Sequence, residues 1–268
     1  MAIKILLDPG HYAGYNKVSC GYSEGTRMWT LYTYLAYALK QYGFTVGVTK
    51  NSAASYPKTS SGEDDITARG RKAAGYNLML SLHTNACSTA SVNRPEVIYP
   101  INGNGRILAV NIAYALQKLM GLQTYKVFSK KNSSGTADYY GVIRGASSVG
   151  TTCLIIEHTF HTNPTMAKWM MSDANIKKMA ECVAATVASY YGYTKKEDEI
   201  DMTEKELRAL IKEVVGDILK GEDTTVSGWV TDEMATAKAK GISDGSRPGG
   251  YATRQEVVAM IVRALDVK

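Results

Sequence analysis

The sequence predicts an α/β protein in which a twisted, mostly parallel sheet is flanked by helices and followed by a small helical C-terminal module. Short apolar runs of strand length alternate with longer stretches in which apolar residues recur at helical spacing, which is the pattern of an α/β layer fold. The 268 residues, 45% hydrophobic and 21% charged, are sufficient for one substantial globular domain and a smaller one.

Apolar runs bounded by turn residues predict strands at Ile3–Leu7, Thr45–Thr49, Leu78–Leu82, Glu96–Tyr99 and Thr152–Glu157. Apolar residues three and four positions apart predict helices at about residues 24–42, 66–75, 104–120 and 173–191. The segment from Asn51 to Asp65 is rich in Ser, Pro, Gly and acidic residues and predicts a loop. Because strands alternate with helices, we expect most strand pairs to be parallel.

The chain divides into two predicted domains, residues 1–193 and 203–268. Residues 194–202 form a predicted linker, because they include a run of charged residues without apolar periodicity. The second domain opens with a capping box, Thr203-Glu204-Lys205-Glu206, and apolar residues at helical spacing follow it as far as Leu219. This amphipathic helix must bury its apolar stripe on the first domain, on the rest of the second, or on the same helix of another chain.

Side chains able to bind a metal lie near the ends of three predicted strands. His11 follows the first strand, His83 follows the third, and Glu157 ends the last. Glu24 lies at the start of the first predicted helix. Because the carboxyl ends of neighbouring parallel strands meet at one edge of a sheet, we expect these side chains to lie close together.

Two imidazoles and two carboxylates match the requirements of a catalytic zinc site. Zinc in hydrolases commonly has three protein ligands and an open position for water, and a further carboxylate moves protons. We expect His11, Glu24 and His83 to be the ligands and Glu157 the proton carrier. Bound zinc lowers the pKa of its water from about 15.7 to roughly 7, and an amide bond is the usual target of the resulting hydroxide. Each residue alone is weak evidence, because a single histidine at a strand end is more often a surface residue.

The motifs follow a distinctive order along the chain: Asp-Pro-Gly-His, then Glu, then Arg before a strand ending Ser-x-His-x-Asn, then a strand ending in Glu with Phe and Asn after it. This order resembles that of the zinc-dependent N-acetylmuramoyl-L-alanine amidases of bacterial cell-wall lysis and remodelling. The resemblance covers about residues 1–193. It implies Zn²⁺ bound by His11, Glu24 and His83, with Glu157 as the catalytic general base and acid.

Two positions depart from the pattern of that family. Arg69 lies closer to the second histidine than the family's arginine does, and we give it no catalytic role. Thr159 stands where the family usually has Gly, two residues after the catalytic glutamate.

Other residues near these motifs have competing interpretations. His158 should point away from the metal because strand residues alternate between faces, whereas His161 is either a cleft residue or a simple loop histidine. Residues 139–144 should approach the last strand, where Tyr and Arg either contact substrate or only pack. Cys20 and Cys87 each lie four residues from a proposed ligand, and two unrelated free thiols are the favoured interpretation.

The last forty residues resemble one S-layer homology repeat, with Trp229, Gly241-Ile242-Ser243-Asp244-Gly245 and Thr253-Arg254-Gln255-Glu256 as its marks. That resemblance implies binding to an anionic secondary cell-wall polysaccharide, usually through three copies. Because a single module of this size is a marginal folding unit, we expect a homo-oligomer through residues 203–268.

The charge distribution indicates which partners the protein binds, and the N-terminal residues indicate where it is made. Residues 1–193 hold 19 Lys or Arg against 10 Asp or Glu, and residues 194–268 hold 12 against 15. The basic first domain should be attracted to an anionic wall. No nucleic-acid motif or membrane span is evident, so we expect neither nucleic-acid nor membrane binding. The N-terminal residues lack the features of a secretory signal, which predicts synthesis in the cytoplasm and action at the cell wall after release.

The sequence therefore predicts a peptidoglycan hydrolase of the endolysin or autolysin type, which cleaves the bond between N-acetylmuramic acid and L-alanine. A zinc peptidase acting on the stem peptide is the alternative enzyme, because the same residues suit any amide. A non-catalytic wall-binding protein is the third interpretation, although the intact set of four residues argues against it.

Overall fold

The computed structural model forms two compact units, Met1–Glu197 and Asp198–Lys268. It describes residues 2–55, 65–195, 231–243 and 254–266. The predicted amphipathic helix after Thr203 and most of the predicted loop between Asn51 and Asp65 lie outside these ranges. Among the helices that the structure describes, none is long and apolar enough to cross a bilayer.

The strands of the first unit are β1 (Lys4–Pro9), β2 (Thr45–Val48), β3 (Leu78–Asn85), β4 (Glu96–Ile98), β5 (Lys126–Phe128) and β6 (Thr152–Phe160). Its helices are α1 (Glu24–Gln41), α2 (Ile66–Arg71), α3 (Arg106–Leu119), α4 (Gly141–Ser148), α5 (Pro164–Trp169) and α6 (Asp173–Tyr191). The sequence did not predict β5, α4 or α5, which are only 3, 8 and 6 residues long. Short elements give only a weak apolar pattern, and the pattern in these three segments did not mark them.

Helix α2 ends earlier than predicted. It stops at Arg71 instead of residue 75, because the chain continues as tight turns and reaches Gly75 with a φ of +79°. A residue in this left-handed conformation cannot continue an α-helix.

The sheet has the strand order β2-β1-β3-β6-β4-β5. Strands β2, β1, β3 and β6 run parallel to one another, whereas β4 is antiparallel to β6 and parallel to β5. This arrangement confirms the predicted mostly parallel sheet flanked by helices. It also makes β1, β3 and β6 adjacent, so that their carboxyl ends lie at one edge of the sheet.

Alternate residues of the central strands pack into two separate cores. Leu80 and Leu82 belong to the larger core, which includes residues of α1, α3 and α6. Met79 and Ile155 belong to the smaller core, which includes residues of α4. Because strand side chains alternate between faces, the polar residues that continue the second set along β3 and β6 lie on the α4 side of the sheet.

Helices α2 and α4 cross with their backbones in contact at two glycines. A Cβ at Gly145 would lie 2.1 Å from the carbonyl oxygen of Thr67, and one at Gly70 would lie 2.2 Å from that of Val142. No side chain fits at either position without separating the helices. The two helices therefore hold a fixed relative position beside the α4 face of the sheet.

We expect Gly145→Ala to lower the free energy of unfolding by about 1–3 kcal/mol, because the two backbones must move apart. Gly141→Ala on the same helix is the matched control, since its Cβ would approach only side-chain atoms, the nearest at 3.2 Å. Urea denaturation of both variants measures the difference. Equal stability of the two variants would contradict the packing argument.

The described part of the second unit contains helices α7 (Thr231–Ala239) and α8 (Arg254–Asp266). Gly241 follows α7 with a φ of +68°, and the backbone N–H of Ile242 donates to the carbonyl oxygen of Ala237. This is a glycine-based helix end of the kind common in proteins. Both helical stretches agree with the predicted small helical module.

Candidate active site

The carboxyl ends of β1, β3 and β6 bring the predicted site residues together. Asp8 pairs with Ser81 in the register of the sheet, and His83 pairs with Glu157. The strands β3 and β6 run further than predicted, to Asn85 and Phe160, so His83 and Glu157 lie inside strands and not at their ends. Their adjacent register positions place both side chains on the same face of the sheet.

His11 reaches this edge through a tight loop after β1. The backbone N–H of Gly10 donates to the carbonyl oxygen of Leu82 over 2.8 Å. A Cβ at Gly10 would lie 2.4 Å from Cε1 of His83, so only glycine lets this loop pass so close to the His83 ring. His11 itself has a φ of +56°, and the ammonium of Lys50 donates to its carbonyl oxygen.

Glu24 is the first residue of α1, and only 1% of its surface is exposed. The side-chain amide of Asn16 donates to Oε2 over 2.6 Å, and the backbone N–H of Thr84 donates to Oε1 over 2.9 Å. The N-terminus of a long helix also stabilises a negative charge. The carboxylate is therefore held in one orientation by partners from two other segments.

The three predicted ligands form a compact cluster. Nε2 of His11 lies 3.4 Å from Oε2 of Glu24, and Nδ1 of His83 lies 3.1 Å from Oε1. One ligand atom from each residue lies within 4.8 Å of the other two, as a shared metal ion requires. The structure thus brings together His11, Glu24 and His83, from three separate parts of the sequence.

The cluster combines a carboxylate with an imidazole that stays neutral. Burial raises the pKa of Glu24, but the hydrogen bond and charge of His83 and the charge of His11 outweigh it and bring the pKa to about 2. Burial and His83 together lower the pKa of His11 to about 4. Burial lowers the pKa of His83, but the hydrogen bond and charge of Glu24 raise it above its ordinary value. At neutral pH, Glu24 and His11 are in the protonation states that a cation prefers.

Glu157 has the properties of a proton carrier. Burial raises its pKa to about 7, and the negative charges of Glu24 and Glu96 add to this while His83 opposes it. Its Oε2 is buried without a hydrogen-bond partner. A carboxyl group with a pKa near neutrality both accepts and donates a proton efficiently.

Asp8 and Arg69 form a buried ion pair next to the cluster. Nη2 of Arg69 donates to Asp8 over 3.0 Å, and the hydroxyls of Thr49 and Ser81 donate to the same carboxylate over 2.6 and 2.7 Å. Burial raises the pKa of Asp8, but Arg69 and the two hydroxyls lower it below its ordinary value. This ion pair was not predicted from the sequence, although a carboxylate at the end of a buried strand signals a partner.

A cleft of about 580 Å³ opens over these residues. Its lining includes His11, His83 and Glu157. It also includes residues of α2, of α4 and of the segment before α4: Ile66, Thr67, Arg69, Tyr139, Tyr140, Gly141, Val142 and Arg144. The prediction that residues 139–144 approach the last strand is therefore confirmed.

The remaining histidines and cysteines do not line the cleft. His158 faces away from the cleft, as strand alternation predicts. It is fully buried, and its Nδ1 donates to the carbonyl oxygen of His83 over 3.0 Å. His161 is also buried, with Nδ1 4.0 Å from Oε2 of Glu24. Cys20 and Cys87 are both free thiols, in agreement with the favoured interpretation.

Several solved structures share this fold. Cwp6 from Clostridium difficile matches with a TM-score of 0.59 and 16% identity over 70% of this chain, but the match covers only 29% of Cwp6. The CwlD amidase from Clostridioides difficile, solved in complex with the GerS lipoprotein, matches with a TM-score of 0.60 and 15% identity over 71% of this chain and 98% of CwlD. The catalytic domain of CwlV, an N-acetylmuramoyl-L-alanine amidase from Bacillus (Paenibacillus) polymyxa var. colistinus, matches with a TM-score of 0.58 and 14% identity over 72% and 99% of the two chains.

At these identities the structural matches establish the fold. No curated protein sequence matches the chain. Residues 5–189 match the sequence profile of a family described as N-acetylmuramoyl-L-alanine amidase. Because this match spans more than half of the sequence and includes all four predicted site residues, the chain belongs to the N-acetylmuramoyl-L-alanine amidase family.

Proposed function

We propose that this protein is a zinc-dependent hydrolase that cleaves the amide bond between N-acetylmuramic acid and L-alanine in peptidoglycan. The observation that carries the proposal is the convergence of His11, Glu24 and His83 beside Glu157 in one cleft. The family supplies the reaction class, amide hydrolysis in peptidoglycan. The roles of the individual residues are our proposal.

The ligand cluster suits zinc in both chemistry and geometry. Two imidazoles and one carboxylate are a common set for catalytic zinc, which keeps another position for water or substrate. His11 and His83 line the cleft, so an ion held by the cluster would be accessible from it. When bound, zinc would lower the pKa of a water molecule to about 7 and polarise the carbonyl group of the substrate.

Glu157 would carry the proton during hydrolysis. As a carboxylate it accepts a proton from the attacking water, whose oxygen bonds to the lactyl carbonyl carbon of muramic acid. It then donates that proton to the nitrogen of L-alanine as the carbon–nitrogen bond breaks. The products are a muramic acid carboxyl group and a free amine, and Glu157 returns to its starting state.

Arg144 has the chemistry to hold the peptide part of the substrate. Its Nη1 donates to the carbonyl oxygens of Asp138 and Tyr139 over 2.8 and 2.7 Å, which fixes the guanidinium on the cleft wall. The ammonium of Lys130 lies 3.7 Å from the centre of the Tyr139 ring and adds positive charge nearby. Stem peptides carry carboxylates, and Arg binds carboxylates through several donors at once.

We expect Arg144→Gln to raise KM for an acidic stem peptide by about tenfold or more, because a charge-assisted hydrogen bond is lost. The effect on kcat should be small, since Arg144 is assigned to substrate binding and not to the reacting bond. A soluble muramyl peptide and its amidated form, which lacks the carboxylate, provide the comparison. An equal rise in KM for both substrates would contradict carboxylate recognition.

The second unit would target the enzyme to its substrate. We propose that residues 203–268 bind an anionic wall polysaccharide, and that association of chains through this region groups weak binding sites. Grouped sites raise avidity without new contacts. The support is the sequence resemblance of this region to one S-layer homology repeat and the presence of two helices in its described part.

The reaction class is tested by incubating the protein with purified cell walls and measuring new amines and new glycan reducing ends. Our proposal predicts an increase in free amines without an increase in reducing ends. New reducing ends without new amines would show cleavage of the glycan and overturn the proposal.

A further inference from the structure

A buried polar group lies next to the ligand cluster and has no part in the proposed chemistry. It consists of Tyr22, Thr84 and His161, whose exposed fractions are 0%, 4% and 6%. Burial of polar side chains is costly unless they are hydrogen-bonded. Thr84 is hydrogen-bonded to both Tyr22 and His161, and its backbone N–H also donates to Glu24.

Thr84 is held on several sides. Its backbone N–H donates to Oε1 of Glu24 over 2.9 Å, and its hydroxyl lies 2.6 Å from the hydroxyl of Tyr22. Nδ1 of His161 lies 3.1 Å from this hydroxyl and 3.2 Å from the carbonyl oxygen of Thr84. Because a carbonyl oxygen only accepts, Nδ1 of His161 carries a proton and donates it. The ring of His161 also stacks on Tyr22, with 5.8 Å between the centroids.

Thr84 links His161 to the proposed ligand Glu24: its carbonyl oxygen accepts from His161, and its backbone N–H donates to Glu24. His161 and Tyr22 fix the position of Thr84, and the N–H of Thr84 fixes Oε1 of Glu24. Thr84 also directly follows His83, so the same contacts restrain the backbone of a second ligand. The side-chain amide of Asn16, in the loop before α1, donates a hydrogen bond to the other carboxylate oxygen of Glu24, Oε2.

We infer that His161 and Tyr22 are positioning residues, which set zinc affinity by holding Glu24 and His83 in place before the ion binds. This inference rests on the proposed function, which assigns Glu24 and His83 as ligands. Partners in the second layer around metal sites typically change affinity by about 10- to 100-fold. The cluster of possible ligands consists of His11, Glu24 and His83, and Nδ1 of His161 is instead engaged by the hydroxyl and carbonyl oxygens of Thr84.

Three conservative variants separate positioning from packing. His161→Phe keeps the ring and its stacking on Tyr22 but removes the Nδ1 donor. His161→Asn places an amide N–H close to the position of Nδ1 and serves as the rescue variant. Tyr22→Phe removes only the hydroxyl that contacts Thr84.

The readout is the zinc dissociation constant, measured by competition with a chromogenic chelator, together with the melting temperature with and without zinc. We expect His161→Phe to bind zinc about 10- to 100-fold more weakly, Tyr22→Phe to show a smaller loss, and His161→Asn to recover most of the affinity. Since ligand binding stabilises the folded state, the stabilisation by zinc should fall by about 1.4 kcal/mol for each tenfold loss.

Zinc affinity of His161→Phe within twofold of wild type, with melting temperatures lowered equally in the presence and absence of zinc, would overturn the inference. Such a result would leave His161 only a packing role. A wild-type chain that binds no zinc would instead overturn the proposed function and this inference with it. The zinc titration of the wild-type chain alone distinguishes this outcome from failure of the inference about His161.

Discussion

Replacement of Glu157 by Gln should lower turnover by roughly two to four orders of magnitude, because the general base and acid is lost. The substitution keeps the size of the side chain. Zinc content should stay close to that of wild type, since Glu157 is not among the three residues of the ligand cluster. Turnover on a soluble muramyl peptide and zinc per chain are the two measurements.

The control for this experiment is Glu24→Gln. Glu24 contacts both histidines of the cluster and keeps an ionised carboxylate, with a pKa of about 2. The Glu24→Gln variant, in which a neutral amide replaces this carboxylate, should therefore lose both zinc binding and activity. Equal loss of zinc in the two variants would mean that the carboxylates are assigned to the wrong roles.

His83→Ala should abolish zinc binding and activity together. His83 is the central residue of the cluster, since it bonds to Glu24 and packs edge-on against the ring of His11, with 4.9 Å between the centroids. A catalytic zinc site has only three protein ligands, so the loss of one leaves two. Wild type should bind about one zinc per chain, and a chelator should stop lysis.

His158→Asn is a matched control for His83→Ala, because His158 lies on the neighbouring strand and faces away from the cleft. Asn keeps a donor for the carbonyl oxygen of His83, to which His158 Nδ1 donates. This variant should retain about one zinc per folded chain. Full activity of metal-free His83→Ala would refute the metal assignment.

The central strands and the ligand cluster were predictable because buried parallel strands are continuous apolar runs that end at the site. The run from Leu78 to Leu82 and the run from Thr152 to Ile156 are almost completely buried, and His83 and Glu157 follow them directly. Strand alternation also predicted that His158 points to the opposite face of the sheet from Glu157. The strands and the faces of their residues follow from spacing along one segment, whereas the expected meeting of His11, Glu24 and His83 also rested on the parallel order of the strands and on the family resemblance.

Features that depend on contacts between distant segments were not predictable. The bond between Tyr22 and Thr84 joins residues 62 positions apart, and that between Thr84 and His161 joins residues 77 apart. No local pattern marks such pairs. The pairing of Asp8 with Arg69 depends on how α2 packs beside the sheet, and β5 and α4 are stabilised by tertiary contacts more than by their own sequences.

The central claim is hydrolysis of the bond between muramic acid and L-alanine, and mass analysis of digested wall fragments tests it most directly. Wild-type protein with zinc should release stem peptides with a free N-terminal alanine and leave glycan strands of intact length, whereas Glu157→Gln should release almost none. Peptides with a new N-terminus at another residue of the stem would show a zinc peptidase and contradict the account.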